Sequence, residues 1–146
     1  MEESELRQAV AALETSRAQM DALARQEEML RLSLEEYVRA RETMARYADT
    51  PVGTQILVPI GANSFLFASV DDVDKCIVGI GSEVALEDTL ERAMERLDNR
   101  IRQLQDVQEG LLRRIEEIGG KVNEYTAAVQ RAYEKSRSER GEESGV

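Results

Sequence analysis

Residues 55–86 read QILVPIGANSFLFASVDDVDKCIVGIGSEVAL. Ile56, Val58 and Ile60 alternate with Leu57, Phe65 and Phe67 with Leu66, Ala68 and Val70, and Cys76, Val78 and Ile80 with Ile77. A two-residue repeat is the signature of a strand, and Gly61-Ala62-Asn63 and Asp71-Asp72-Val73-Asp74 supply the turns between strands. The pattern predicts strands over 55–60, 64–70 and 75–80 and a short fourth over 83–86, arranged as two consecutive β-hairpins. Both faces of these strands are apolar, so both need cover. Hairpins of this size are marginal in water, and their open edges are templates for further pairing. A sheet folded down on its own helices is the alternative, but two narrow helices do not shield both faces. The expectation is a sheet completed by copies of itself or by a partner with similar strands. Its oligomerisation residues are then Ile56, Val58, Ile60, Phe65, Phe67, Val78 and Ile80.

Outward from this block, both flanks are written in heptads. Downstream, Leu90, Leu97, Leu104, Leu111, Ile118 and Tyr125 recur every seven residues, and Met94, Ile101, Ile115, Val122 and Val129 form a companion row broken by Gln108. Upstream, Leu6, Leu13, Met20 and Leu34 share one register, with Glu27 the polar intruder, and Ala9, Leu23, Leu30, Tyr37 and Met44 share the other. Apolar residues spaced alternately by four and three make the narrow seam of a coiled coil. A first helix is expected over about 3–47, on the order of 65 Å long at 1.5 Å per residue. Thr50-Pro51 ends it, because Pro lacks an N–H and disfavours helix in the residue before it. A second helix is expected from Glu87-Asp88, whose carboxylates suit a helix N-terminus, to about Tyr133.

The expected organisation is therefore a mainly α chain, a long antiparallel coiled-coil hairpin carrying two inserted β-hairpins. Its parts are a helix over 1–49, the hairpins over 50–86, a helix over 87–133 and a disordered, charged tail over 134–146. Antiparallel pairing brings Glu27 and Gln108 within about one layer of each other, and buried polar residues at seam positions fix register.

Composition narrows the function classes. The chain has 146 residues, of which 33% are charged and 4% aromatic, with no Trp and no His. Mean hydropathy is −0.45. That is too polar for an ordinary globule and normal for an elongated helical hairpin. The net charge of −10 argues against nucleic acid and against an anionic membrane surface. No stretch approaches the roughly 18 apolar residues of a membrane span, and the acidic MEESELRQAV has no signal-peptide pattern. Without His there is no His-based acid–base pair, nucleophile arrangement or Cys/His metal cluster. The VGIGSE stretch lacks a GK[ST] ending and reads as a strand-end turn. Cys76 has no partner for an internal disulfide and reads as a small buried hydrophobe. The chain is expected to be cytoplasmic, not an enzyme, and free of cofactor and metal.

The remaining signal lies at the helix ends. AVAAL at 9–13 and YTAAVQRAY at 125–133 carry apolar residues beyond the seam, and an antiparallel hairpin brings these two segments together at its tip. Gly119-Gly120 precedes the second of them, and each Gly costs about 1 kcal/mol against Ala within a helix. A softened tip with surplus apolar surface suits the capture of variable, non-native apolar partners. The candidate residues are Leu6, Ala9, Val10, Leu13, Val122, Tyr125, Ala128, Val129, Ala132 and Tyr133.

The stretch from Ile56 to Ala93 strongly resembles the alpha class of prefoldin subunits, the archaeal and eukaryotic holding chaperone. The specific pieces are VPIG at 58–61, the F-x-F of Phe65 and Phe67, the D-x-x-K of Asp72 and Lys75, and IVGIG at 77–81. Two hairpins mark the alpha class, the beta class resembling a single-hairpin version. The family often carries a Lys at the start of the second helix, where this chain has Glu87-Asp88. The resemblance implies a hexamer of two alpha and four beta subunits whose strands form β-barrels. It implies arm tips that capture unfolded polypeptides without ATP and deliver them to a group II chaperonin. The competing reading is a structural coiled-coil spacer or filament-forming protein without client binding.

Overall fold

A computed structural model describes residues 3–144. The order of elements is α1 (Glu3–Ala48), β1 (Gln55–Gly61), β2 (Ser64–Ser69), β3 (Lys75–Gly81), β4 (Val84–Thr89) and α2 (Leu90–Ser144). The chain divides into two units, Met1–Arg31 with Asp106–Val146, and Leu32–Gln105.

No Gly or Pro interrupts the 46 residues of α1, which begins with Glu3 and Glu5 and ends with Arg46, each charge complementing its end of the helix dipole. It stops where expected. The Thr50 hydroxyl and amide turn back onto the carbonyls of Arg46 (2.7 Å) and Tyr47 (3.1 Å), and Pro51 follows.

The two hairpins are separate two-stranded antiparallel sheets, β1–β2 and β3–β4. They are also copies of each other. Every residue of the first has its counterpart 20 residues on, from Gln55 and Lys75 to Val70 and Leu90, with Val58/Val78, Ile60/Ile80, Gly61/Gly81 and Leu66/Leu86 identical. The ladders break at the same place, between Pro59 and Gly61 and between Gly79 and Gly81. The turns match in detail: φ is +99° and +97° at Gly61 and Gly81, +48° and +52° at Ala62 and Ser82, and +55° and +60° at Asn63 and Glu83. The residue closing each hairpin, Val70 or Leu90, is 3% exposed. Val70 exchanges hydrogen bonds with Gly53 and Thr54, while Leu90 N–H donates to the Asp74 carbonyl at 2.8 Å.

The start of α2 corrects one expectation. Glu87 and Asp88 do not open the helix; they extend β4, paired with Ile77 and Cys76. The cap is Thr89, whose Oγ1 accepts from the Arg92 N–H at 3.2 Å. Carboxylates near a helix start are weaker evidence than a Thr one residue before the first seam residue, and the ladder with β3 holds the strand until that point.

The end of α2 corrects another. The segment from Glu134, expected to be disordered, is helical to Ser144. Glu, Lys and Arg are good helix formers, and extending an existing helix carries no nucleation cost. A charged composition therefore excludes a core but not a helix. Gly145 and Val146, the remainder of the expected tail, lie outside the described residues, as do Met1 and Glu2 of the expected first helix.

Within each unit the helical segments run antiparallel. In the first, the buried residues of the seam are Leu13, Leu23, Val122 and Ala132, with one buried polar residue, Ser16. In the second, Leu34, Leu104 and Ala93 are buried beside Val70 and Leu90.

Candidate functional site: the hairpin faces and the helix ends

The ladder registers decide which hairpin side chains share a face. In the first hairpin, Ile56 pairs with Ala68 and Val58 with Leu66 on one face, and Leu57 with Phe67 and Pro59 with Phe65 on the other. In the second, Cys76 pairs with Asp88 and Val78 with Leu86, opposite Ile77 with Glu87 and Gly79 with Ala85. Apolar side chains stand open to solvent on both faces of the first hairpin, up to 75% exposure at Phe67. Of the seven residues expected to mediate oligomerisation, Ile56, Val58, Ile60, Phe65, Phe67 and Ile80 are exposed, and Val78 is half-buried. Leu57, Leu66, Ile77, Val84 and Leu86 of the same hairpins are exposed as well. The 20-residue repeat was the signal that finds Leu86 from Leu66.

The hairpins differ most on one face. Where the first has Leu57, Pro59, Phe65 and Phe67, the second has Ile77, Gly79, Ala85 and Glu87, with Lys75 Nζ 3.9 Å from Glu87 Oε1. Cys76 is half-buried, and desolvation, with the nearby Asp88 carboxylate, raises its thiol pKa above the ordinary value. It therefore stays protonated and weakly nucleophilic at neutral pH.

At the helix ends, the structure brings Leu6, Val10 and Tyr133 together around an open cleft of about 390 Å³. A neighbouring cleft of about 490 Å³ adds Ala132 and the charged Lys135, Arg137 and Arg140. Tyr133 is 56% exposed. The remaining expected tip residues divide into two groups. Leu13, Val122 and Ala132 are buried in the helix–helix seam, while Ala9, Tyr125, Ala128 and Val129 are half-buried at its margin. Periodicity distinguishes seam from flank poorly where Ala lies on both.

Two polar contacts cross the helix pair. Gln108 Nε2 donates to Glu27 Oε1 at 3.1 Å, so the two polar intruders in the heptads meet. Arg41, which occupies the position seven beyond Leu34, donates through Nε and Nη2 to the two Asp98 oxygens at 2.9 and 3.4 Å. That hydrogen bond, reinforced by the charge, holds the Asp98 carboxyl below the ordinary aspartate value and raises the Arg41 guanidinium. Among the described residues no His, Cys, Asp and Glu side chains cluster in a way that holds a metal ion, and no helix is long and apolar enough to cross a membrane.

Two edge-exposed hairpins inserted in a helix pair are a specific combination, and the profile of the family described as "Prefoldin subunit" matches residues 4–135. The chain belongs to the prefoldin subunit family. Its relatives include the prefoldin subunit alpha of Methanopyrus kandleri, 36% identical over a match covering 53% of this chain and 49% of that protein. A second is the prefoldin subunit alpha of Pyrococcus horikoshii, 32% identical over 77% of this chain and 79% of that one. The match thus spans about half the length of the first relative and most of the second. Among solved structures, the chain is similar to the cryo-EM structure of filamentous PFD from Methanocaldococcus jannaschii. There the TM-score is 0.52 at 25% identity, covering 85% of this chain and 97% of that one. The crystal structure of the prefoldin beta subunit from Thermococcus strain KS-1 shares the fold. Its TM-score is 0.61 at 18% identity, covering 88% of this chain and 91% of that one.

Proposed function

We propose that this chain is the two-hairpin subunit of an ATP-independent holding chaperone in the cytoplasm. Two copies combine with four single-hairpin prefoldin beta subunits, and the joined hairpins close into β-barrels. The observation that carries the reading is the apolar surface left open on both hairpins, whose strands are all edges. An isolated chain with such strands aggregates or self-associates, so a partner is required. The helix ends, with Leu6, Val10 and Tyr133 around their clefts, hold unfolded or nascent polypeptides and release them to a group II chaperonin. Several arms acting on one client raise its effective affinity. Neither catalysis nor cofactor enters this cycle, and client holding is indifferent to nucleotide and to chelators.

The alternative is a structural spacer or filament former that binds no client. One structural neighbour is described as filamentous, whereas family membership weighs toward the chaperone. Mixing the chain with a prefoldin beta subunit and measuring mass together with suppression of aggregation of a denatured protein separates the two. A discrete complex that suppresses aggregation is expected, and Val58→Asp or Phe67→Asp blocks its formation through the first hairpin. An assembled complex that leaves aggregation unchanged supports the spacer. ATP hydrolysis abolished by a substitution in this chain overturns the non-enzymatic reading.

A further inference from the structure

The 20-residue repeat singles out one exchange in an otherwise apolar row. Ala68 of the first hairpin corresponds to Asp88 of the second, the residue paired across the ladder with Cys76. The Asp88 side chain is only 12% exposed. Its Oδ1 accepts from the Thr89 N–H at 2.8 Å, and its Oδ2 lies 3.1 Å from Nη1 of Arg96, two turns into α2. Oδ2 has no hydrogen-bond partner of good geometry, so charge attraction rather than an aligned hydrogen bond joins it to Arg96.

The place where this happens has no slack. β4 ends at Thr89 and α2 begins at Leu90, with no residue between them. The first hairpin is joined differently, through a turn that precedes β1 and through the 71–74 linker after Val70, which Tyr47 holds by donating its hydroxyl hydrogen to the Asp72 carbonyl at 2.7 Å. The second hairpin is attached through the same linker, where the Leu90 N–H holds the Asp74 carbonyl at 2.8 Å, and through this direct strand-to-helix junction, which sets its direction against α2. Asp88 bridges that junction from a half-buried position, bonded to the Thr89 N–H at the strand end and close to Arg96 in the second turn of the helix. Covering a carboxylate is unfavourable unless it is paired, so the orientation that brings Asp88 to Arg96 is favoured over one that separates them.

We infer that Asp88 is a positioning residue: with Arg96 it fixes the angle between the second hairpin and α2, and so presents that hairpin to a partner strand pair. This rests on the assembly proposed above, in which each hairpin takes one partner hairpin. The first hairpin has Ala68 at this place and does not depend on the device.

The test uses the complex with a prefoldin beta subunit. Spin labels are placed on Ser82→Cys and Asn99→Cys in a Cys76→Val background, in labelled chain diluted with unlabelled. Asp88→Ala and Arg96→Met are expected to broaden the label-to-label distance distribution. Asp88→Asn, which keeps an oxygen for Thr89 but not the charge, falls between, and Arg100→Met leaves the distribution unchanged. By native mass at limiting partner, Asp88→Ala complexes lose the partner subunit from the second hairpin while the first still fills, as Val78→Asp complexes do. A distance distribution unaltered by both Asp88→Ala and Arg96→Met overturns the inference, as does equal loss of partner from both hairpins. If the wild-type chain takes no beta-type partner, the assembly reading fails, while the distances measured on the chain alone still decide the role of Asp88.

Discussion

The side-chain amide of Gln108 meets the carboxylate of Glu27 at 3.1 Å across the seam between the two helical segments of one unit. Each is a polar member of a largely apolar heptad row, and both are half-buried. A layer of this kind is satisfied only when the two rows face each other in one alignment, and every shift by a heptad places a Leu or Ile against a polar group.

Removing both groups should therefore raise stability and lower uniqueness. Glu27→Leu with Gln108→Leu is expected to melt at a higher temperature by circular dichroism, since well-packed apolar pairs match or exceed buried polar ones. Gln108→Leu alone should cost about 1 kcal/mol, because Glu27 is left without its donor. Alignment is read separately by oxidative cross-linking of Met20→Cys with Gly119→Cys, where a Cβ added at Gly119 would lie 3.8 Å from the Met20 sulfur. Cross-linking that remains complete in the double-Leu protein removes the register role.

The Arg41–Asp98 pair predicts a pH dependence. The Asp98 carboxyl titrates below its ordinary value because of the hydrogen bond from Arg41. A group depressed on folding contributes stability that is fully present above its unfolded pKa and lost as pH falls through the folded one. Wild-type protein should thus lose stability below about pH 4 more steeply than Asp98→Asn. Parallel acid-melting curves for the two proteins exclude the contribution.

The hairpin turns carry side chains in left-handed backbone, at Ala62 and Asn63 and at Ser82 and Glu83. Glycine removes a left-handed cost of roughly 1–2 kcal/mol and adds roughly 0.4–1 kcal/mol of unfolded-state entropy, so Glu83→Gly should stabilise the assembled protein slightly and Asn63→Gly less, since Asn tolerates that region. Gly61→Ala, at φ +99°, should destabilise it although nothing lies within 4 Å of the added methyl. Thermal denaturation of the complex measures both, and a stabilising Gly61→Ala contradicts the turn geometry.

Client holding and assembly should separate along the chain. Deleting residues 1–13 together with 122–146 is expected to leave complex mass unchanged and to abolish protection of a denatured client. Val10→Asp and Tyr133→Asp, which charge the rim of the cleft, should weaken protection in part. At about 25 cal/mol per Å², a few hundred Å² of exposed apolar surface is enough for modest affinity. Full protection by the truncated complex places the client elsewhere.

Heptads and two-residue alternation made the helices, the seam and both hairpins legible in the sequence, because each is a local periodicity with one matching structure. Antiparallel return of the chain follows from the same patterns, and with it the meeting of Glu27 and Gln108. Helix boundaries were less legible. Glu87-Asp88 resembles a helix start, yet β3 keeps those residues in the ladder, and the charged segment after Tyr133 continues α2 because helix extension requires no core. Only the tertiary structure separated Leu13 and Val122, buried in the seam, from Leu6, Val10 and Tyr133 around the clefts. It alone joined Arg41 to Asp98 and Asp88 to Arg96. Periodicity fixes which way a residue faces on its own element; which neighbour covers it depends on how that element packs, and that is set by contacts between residues far apart in the chain.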